Sequence, residues 1–238
     1  MAQIFSSTSP IIWSHKGGTE HENTLASFEK AWHAGVKHFE TDLHLTKDGV
    51  LVLSHDPTIF RLTGVNKSVS DLTFSQLQNY PISGEYPWLS LDQLVRTYPR
   101  AVFSLDMKNA NTLNPLVEFL TDQRRDRFIV GSFSASRIKS FRNLAPDICT
   151  ALDIQQILKL KLSKNLSLGI ENQMAMVPYR YYSTTLINER FISNCQDLEI
   201  PIHAWTINDM GLMESLLRKG VTGVVTDKAV EAASRFYA

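Results

Sequence analysis

Residues 39–45 alternate apolar and polar positions, Phe39-Glu40-Thr41-Asp42-Leu43-His44-Leu45. Successive side chains of a strand point to opposite faces, so Glu40, Asp42 and His44 share one face while Phe39, Thr41, Leu43 and Leu45 share the other. Such a strand is either an ordinary amphipathic edge or one that turns its acids into a polar site. Lys47-Asp48-Gly49 then turns the chain, residues 50–54 read as a second short strand, and His55-Asp56-Pro57 ends it. A histidine is thereby returned close to the acids.

Upstream, Ile11-Ile12-Trp13-Ser14 reads as a buried strand that delivers His15 and Lys16 to its C-terminal end. Two glycines follow, and Asn23 or Thr24 can cap a helix through Leu25, Phe28, Ala31 and Trp32 to Gly35. Residues 57–90 lose the pattern at Gly64, Pro81, Gly84 and Pro87, with a weak helical signal at 72–80, and read as an excursion from the core. Beyond it a short helix at 91–98 leads to a strand at 101–108, whose polar face carries Ser104, Asp106 and Lys108. Helices at 114–124, 135–144, 154–162, 184–198, 210–219 and from 229 then alternate with strands at 128–133, 148–152, 174–177, 202–206 and 223–226.

Strand followed by helix about eight times in this length predicts a (β/α)8 TIM barrel with a small insertion after the second strand. One domain spanning 1–238 is expected, and a doubly wound open sheet is the competing arrangement. In such barrels chemistry gathers at the C-terminal ends of the strands, where His15, Lys16, Glu40, Asp42, Asp106 and Lys108 all fall.

Composition narrows the partners. Twenty-four basic residues balance 24 acidic ones, so no net field attracts nucleic acid. Cys149 and Cys195 are far apart and lack metal-ligand spacing, which fits a reducing cytoplasm better than a disulfide framework. The start of the chain lacks a basic segment followed by a long apolar core, and no run of about 18 apolar residues occurs, so neither a secretion signal nor a membrane span is expected.

The ordered motifs His15-Lys16-Gly17, Glu22-Asn23-Thr24, Glu40-Thr41-Asp42, Thr46-Lys47-Asp48-Gly49 and His55-Asp56 resemble those of the glycerophosphodiester phosphodiesterase family. Further along, Asp106-Met107-Lys108, Trp205-Thr206-Ile207-Asn208 and Thr226-Asp227 extend the likeness over nearly the whole chain. Lys16 stands where the family usually has arginine, and Asp106 where it usually has glutamate. Lysine offers a point charge in place of a planar two-pronged donor.

The resemblance implies metal-dependent hydrolysis of a small glycerophosphodiester to glycerol 3-phosphate and an alcohol, with His15 and His55 catalytic. Glu40, Asp42 and Asp106 are the expected ligands of a divalent cation, and hard oxygen donors suit Mg²⁺ or Ca²⁺. Lys16 and Lys108 are expected to balance the phosphate, and Trp205 serves either barrel packing or an apolar wall beside the substrate. Imidazole titrates near neutral pH, so the two histidines suit proton transfer, with either one as acid or base. The attacker is either water or a hydroxyl of the substrate's own glycerol, the latter giving cyclising or phospholipase D-like chemistry.

Bland alternatives stand beside this reading. Glu40 and Asp42 can instead pair with Lys16 and Lys108 in a dry structural network, and a barrel can bind phosphate without turning it over. Glu22 suits loop ordering and Asn23 helix capping. His38 and His44 read as polar filling, His21, His33 and His203 have no role, and Glu171 is an acid near a strand end without a motif. Arg61, Tyr80, Tyr86 and Trp88 are candidates to touch a head group from the insertion.

Overall fold

The computed structural model describes residues 9–18, 20–163 and 172–237, so Glu171 lies outside the described residues. In chain order the strands are β1 (Ile11–His15), β2 (His38–Leu45), β3 (Leu51–Leu53), β4 (Val102–Met107), β5 (Phe128–Gly131), β6 (Cys149–Ala151), β7 (Gln173–Pro178), β8 (Arg180–Tyr181), β9 (Thr184–Thr185), β10 (Ile202–Trp205) and β11 (Gly223–Thr226). The helices are α1 (Leu25–His33), α2 (Phe60–Thr63), α3 (Phe74–Leu77), α4 (Leu91–Thr97), α5 (Leu113–Thr121), α6 (Ala135–Leu144), α7 (Ile154–Leu162), α8 (Glu189–Asp197), α9 (Met210–Arg218) and α10 (Ala229–Phe236).

Eight parallel strands run β1-β2-β4-β5-β6-β7-β10-β11, and β1 pairs with both β2 and β11. That double pairing closes the sheet into a (β/α)8 barrel and rules out the open doubly wound alternative. Alternation along the strands creates two apolar layers. Outward residues such as Ile12, Phe39, Leu43, Phe103 and Leu105 pack with helix residues such as Phe28 and Leu116, while inward Ile11, Trp13, Ile129, Met174, Met176 and Val225 fill the barrel.

The excursion follows β3, which pairs antiparallel with β2. It contains α2 and α3, and Val52, Ile59, Val69, Leu72, Leu77, Ile82 and Trp88 form its own small core. The weak helical signal at 72–80 corresponds to α3, started by a capping box between Thr73 and Gln76.

Two local expectations are corrected. The helix expected at 184–198 begins only at Glu189, because β8 and β9 form a hairpin first and Asn188 then accepts from Phe191 N to start α8. The cap of α1 is Thr24, which accepts from Ser27 N, whereas buried Asn23 turns its Oδ1 to accept from Thr41 Oγ1 at 2.7 Å.

His203 has a structural place in the lower barrel. Trp13 Nε1 donates to its Nδ1 at 2.8 Å, and the ring lies where a Cβ on Gly223 would meet it at 2.7 Å, so only glycine fits there. Full burial, with His38 nearby, lowers its pKa from 6.5 to about 3. The unfolded chain therefore takes up a proton at higher pH than the fold does. Stability is complete above the ordinary histidine pKa and falls on acidification toward about 3, by up to about 1.4 kcal/mol per pH unit. Urea unfolding from pH 7 to 4 should show this slope, and His203→Gln, which keeps an acceptor for Trp13, should flatten it by about one proton. An unchanged slope in the variant would remove His203 as its source.

Among the described residues, no helix is long and apolar enough to cross a membrane.

Candidate active site

Strand register assembles the site at the C-terminal end of the barrel. His15 pairs with Glu40 across β1 and β2, and Asp42 pairs with Asp106 across β2 and β4. His55 follows the short return strand, Lys108 follows β4 and Trp205 ends β10. All eight residues expected from sequence, His15, Lys16, Glu40, Asp42, His55, Asp106, Lys108 and Trp205, line one cavity of about 400 Å³.

The first loop is built for close approach. Lys16 itself has φ of +53°, and Gly17 follows at +83° with Ser27 packed so tightly that a Cβ would meet it at 2.6 Å. Lys16 N donates to Glu40 O at 2.8 Å, which holds this turn against β2. The lysine amine lies 3.5 Å from Glu22 Oε2. Glu22 also accepts two bonds from Arg61, at 2.6 and 3.1 Å.

Each histidine has a carboxylate on Nδ1. His15 Nδ1 donates to Asp227 Oδ1 at 2.6 Å, leaving Nε2 3.7 Å from Glu40 Oε2. His55 Nδ1 donates to Asp56 Oδ1 at 2.8 Å, and Asp56 Oδ2 accepts from Arg61 Nε at 2.6 Å. A carboxylate on Nδ1 fixes the tautomer and leaves Nε2 for proton exchange. Burial would raise the pKa of Asp227, but hydrogen bonds from His15 and Asn208 outweigh it and hold the group below the ordinary range. Asp56 is likewise held low against burial by His55 and Arg61.

Charge in the central cluster is unbalanced. Lys108 Nζ lies 2.7 Å from Asp42 Oδ1 and 2.9 Å from Asp106 Oδ2. Burial opposes its charge, yet the two carboxylates hold its pKa raised. Burial also raises Asp106, partly offset by Lys108. Glu40 rises well above its usual value through burial first, then repulsion from Asp42 and Asp106.

The three acids are not gathered into a closed ligand set, because Lys108 bridges Asp42 and Asp106. Among the described residues no such ready-made group of three is found. The donors nonetheless fit a hard cation, since Glu40 Oε2 and Asp42 Oδ2 are buried without a hydrogen-bonding partner. The dry network expected as an alternative is formed only in part: Lys108 pairs within the cluster, but Lys16 turns to Glu22.

The model of the glycerophosphoryl diester phosphodiesterase family matches residues 13–122 and 96–231. The chain belongs to that family. Among curated relatives, a probable glycerophosphodiester phosphodiesterase 2 of Mycobacterium tuberculosis is 23% identical over 231 residues, covering 92% of this chain and 88% of its own. A lysophospholipase D of Rattus norvegicus is 26% identical over 263 residues, with 90% and 82% covered. An Oleispira antarctica phosphodiesterase, solved in complex with the product sn-glycerol-3-phosphate, superposes with a TM-score of 0.75 at 20% identity, covering 95% of this chain and 97% of that one. The family is one of phosphoric diester hydrolases.

Several features of this glycerophosphoryl diester phosphodiesterase family member were not assigned from sequence. Asp227 was visible only as part of a Thr-Asp signature, since its partner His15 lies 212 positions away. Arg61, Tyr80, Tyr86 and Trp88, expected to touch a head group, do not line the cavity. Arg61 pairs with Glu22 and Asp56, Tyr80 accepts from Lys67, Tyr86 stacks on His21, and Trp88 is buried in the insertion core. Trp205 packs on the barrel interior and also lines the cavity, with Phe133 edge-on at 5.8 Å.

Proposed function

We propose that this family member hydrolyses glycerophosphodiesters to sn-glycerol 3-phosphate and an alcohol. The observation that carries the reading is a single cavity lined by two histidines, each with a carboxylate on Nδ1, beside a cluster of three acids and Lys108. Diester cleavage requires deprotonation of an attacking hydroxyl, protonation of the leaving alkoxide, and neutralisation of charge on the non-bridging oxygens. His15 and His55 move the two protons through their Nε2 atoms. Lys108, kept charged by its acidic neighbours, and Lys16 hold the phosphate.

Glu40, Asp42 and Asp106 would hold Mg²⁺ or Ca²⁺, which when bound supplies positive charge for the phosphoryl oxygens. Two free, buried cysteines fit a cytoplasmic setting. The full chain, supplied with Mg²⁺ or Ca²⁺ and glycerophosphocholine, should release glycerol 3-phosphate in a dehydrogenase-coupled assay. Failure to release it from any of several glycerophosphodiesters, with either metal, would overturn the reading.

A second reading concerns the substrate's bulk. The acids and lysines come from β1, β2, β4 and the segments after them, while Phe133, Ile154, Ile157, Met176, Tyr181 and Leu186 form an apolar wall across the same cavity. Such a wall favours a substrate carrying one acyl chain, the class that the name of the Rattus norvegicus relative denotes. Comparing kcat/KM for lysophosphatidylcholine and glycerophosphocholine tests it, and equal or lower values for the acylated compound would count against it. Phosphorus NMR of the product distinguishes a monoester from the cyclic ester formed when a substrate hydroxyl attacks.

A further inference from the structure

The insertion is joined to both ends of the polar site by one side chain. Arg61, on α2, donates Nη1 and Nη2 to the two oxygens of Glu22 at 3.1 and 2.6 Å, and Nε to Asp56 Oδ2 at 2.6 Å. Glu22 belongs to the loop after β1 and lies 3.5 Å from the amine of Lys16. Asp56 uses its other oxygen for His55 Nδ1 at 2.8 Å. Two chains of contact therefore leave a single guanidinium, one reaching a cation that lines the cavity and the other a histidine that lines it.

We infer that Arg61 is a positioning residue for this active site, setting His55 through Asp56 and Lys16 through Glu22. The inference rests on the proposed phosphodiesterase reaction. Arg61 does not line the cavity and its hydrogen bonds go to Glu22 and Asp56, so its effect passes through the two carboxylates. Asp56 has one oxygen for Arg61 and one for His55, so the guanidinium fixes the carboxylate's rotation and, through it, the half-exposed imidazole. Glu22 is only 13% exposed, and the two-pronged bond from Arg61 fixes the plane in which it meets Lys16. Burial would push Glu22 toward protonation, and Arg61 with Lys16 holds it ionised.

The chemistry requires arginine. A lysine amine is a point charge without the planar fork, and it cannot span both carboxylates in this geometry. Isolated surface ion pairs contribute little to stability, but a bidentate guanidinium shared by two partly buried acids is the arrangement in which orientation matters. The same junction is reinforced by His21, stacked on Tyr86 of the insertion with centroids 4.3 Å apart.

The experiment measures kcat and KM for glycerophosphocholine with saturating Mg²⁺ or Ca²⁺. Arg61→Ala should lower kcat and raise KM, with a combined loss in kcat/KM of up to about 100-fold. Arg61→Lys should not restore it. Because the Arg61 side chain is 47% exposed, millimolar methylguanidinium should enter the vacated space and recover part of the activity of Arg61→Ala, whereas equal ionic strength of KCl should not. Asp56→Asn should affect mainly kcat, and Glu22→Gln mainly KM, so the two arms can be read separately even if Arg61→Ala does not fold. Wild-type kcat and KM in a folded Arg61→Ala would overturn the inference, as would a loss that methylguanidinium leaves untouched or the absence of the kcat and KM split in the carboxylate variants. A wild-type protein inactive on every glycerophosphodiester would overturn the underlying reaction, and the inference with it.

Discussion

Replacing His55 with alanine is expected to lower turnover of glycerophosphocholine by about 10²- to 10⁴-fold, the range associated with loss of a positioned proton donor or acceptor. Divalent-cation affinity should be unchanged. The reasoning is spatial: the ring bonds to Asp56 outside the acid cluster, and its side chain is 46% exposed, so truncation opens no core cavity. His15 differs, because it bonds to Asp227 and lies 3.7 Å from Glu40. His15→Ala should therefore lose turnover and also disturb cation binding. Rates at saturating substrate, together with calorimetric titration of Ca²⁺, separate the two. A His55→Ala enzyme with the wild-type rate would remove that residue from the reaction.

The second large effect is expected at Glu40. Its carboxyl is buried against Asp42 and Asp106, with Lys108 committed to those two neighbours, and its pKa is raised well above normal. A carboxyl whose folded pKa exceeds its unfolded value costs stability at every pH above the unfolded value, and the cost disappears as pH falls below it. Glu40→Gln keeps the shape and removes the charge. In chelator at pH 7 this variant should melt at or above the wild-type temperature, while turnover collapses.

Saturating cation separates the two proteins further. At 100 times its dissociation constant, a cation that binds only the folded state adds about 2.7 kcal/mol. The wild type should show that rise in thermal melts and Glu40→Gln should not. A variant that melts lower than the wild type in chelator, or gains as much as the wild type from Mg²⁺ or Ca²⁺, would exclude Glu40 as an uncompensated acid awaiting a cation.

Much of this site was legible along the chain because its parts are local. Alternation on one strand put Glu40 and Asp42 on a common face, and strands ending in polar residues gave His15, Asp106 and Lys108 without any knowledge of their neighbours. Contacts that depend on barrel closure were not legible. Asp227 becomes the partner of His15 only because β11 lies against β1, and Arg61 meets Glu22 only through the way the insertion folds back. His203 carried no local signal either, since a histidine between apolar residues reads the same whether it serves a site or accepts a bond from Trp13. The hairpin before α8 was absorbed into a helix because the residues after Leu186 keep helical spacing, and the starting signal at Asn188 was outweighed by that spacing.

The seam between β1 and β11 also has a consequence for biosynthesis. His15 leaves the ribosome 212 positions ahead of the carboxylate that orients its ring. A nascent barrel missing its final strand can collapse around most of its apolar layers, yet it lacks the hydrogen bond that sets the first imidazole. A fragment that ends before β11 should therefore be inactive, and two fragments split within a surface loop should recover activity only when mixed.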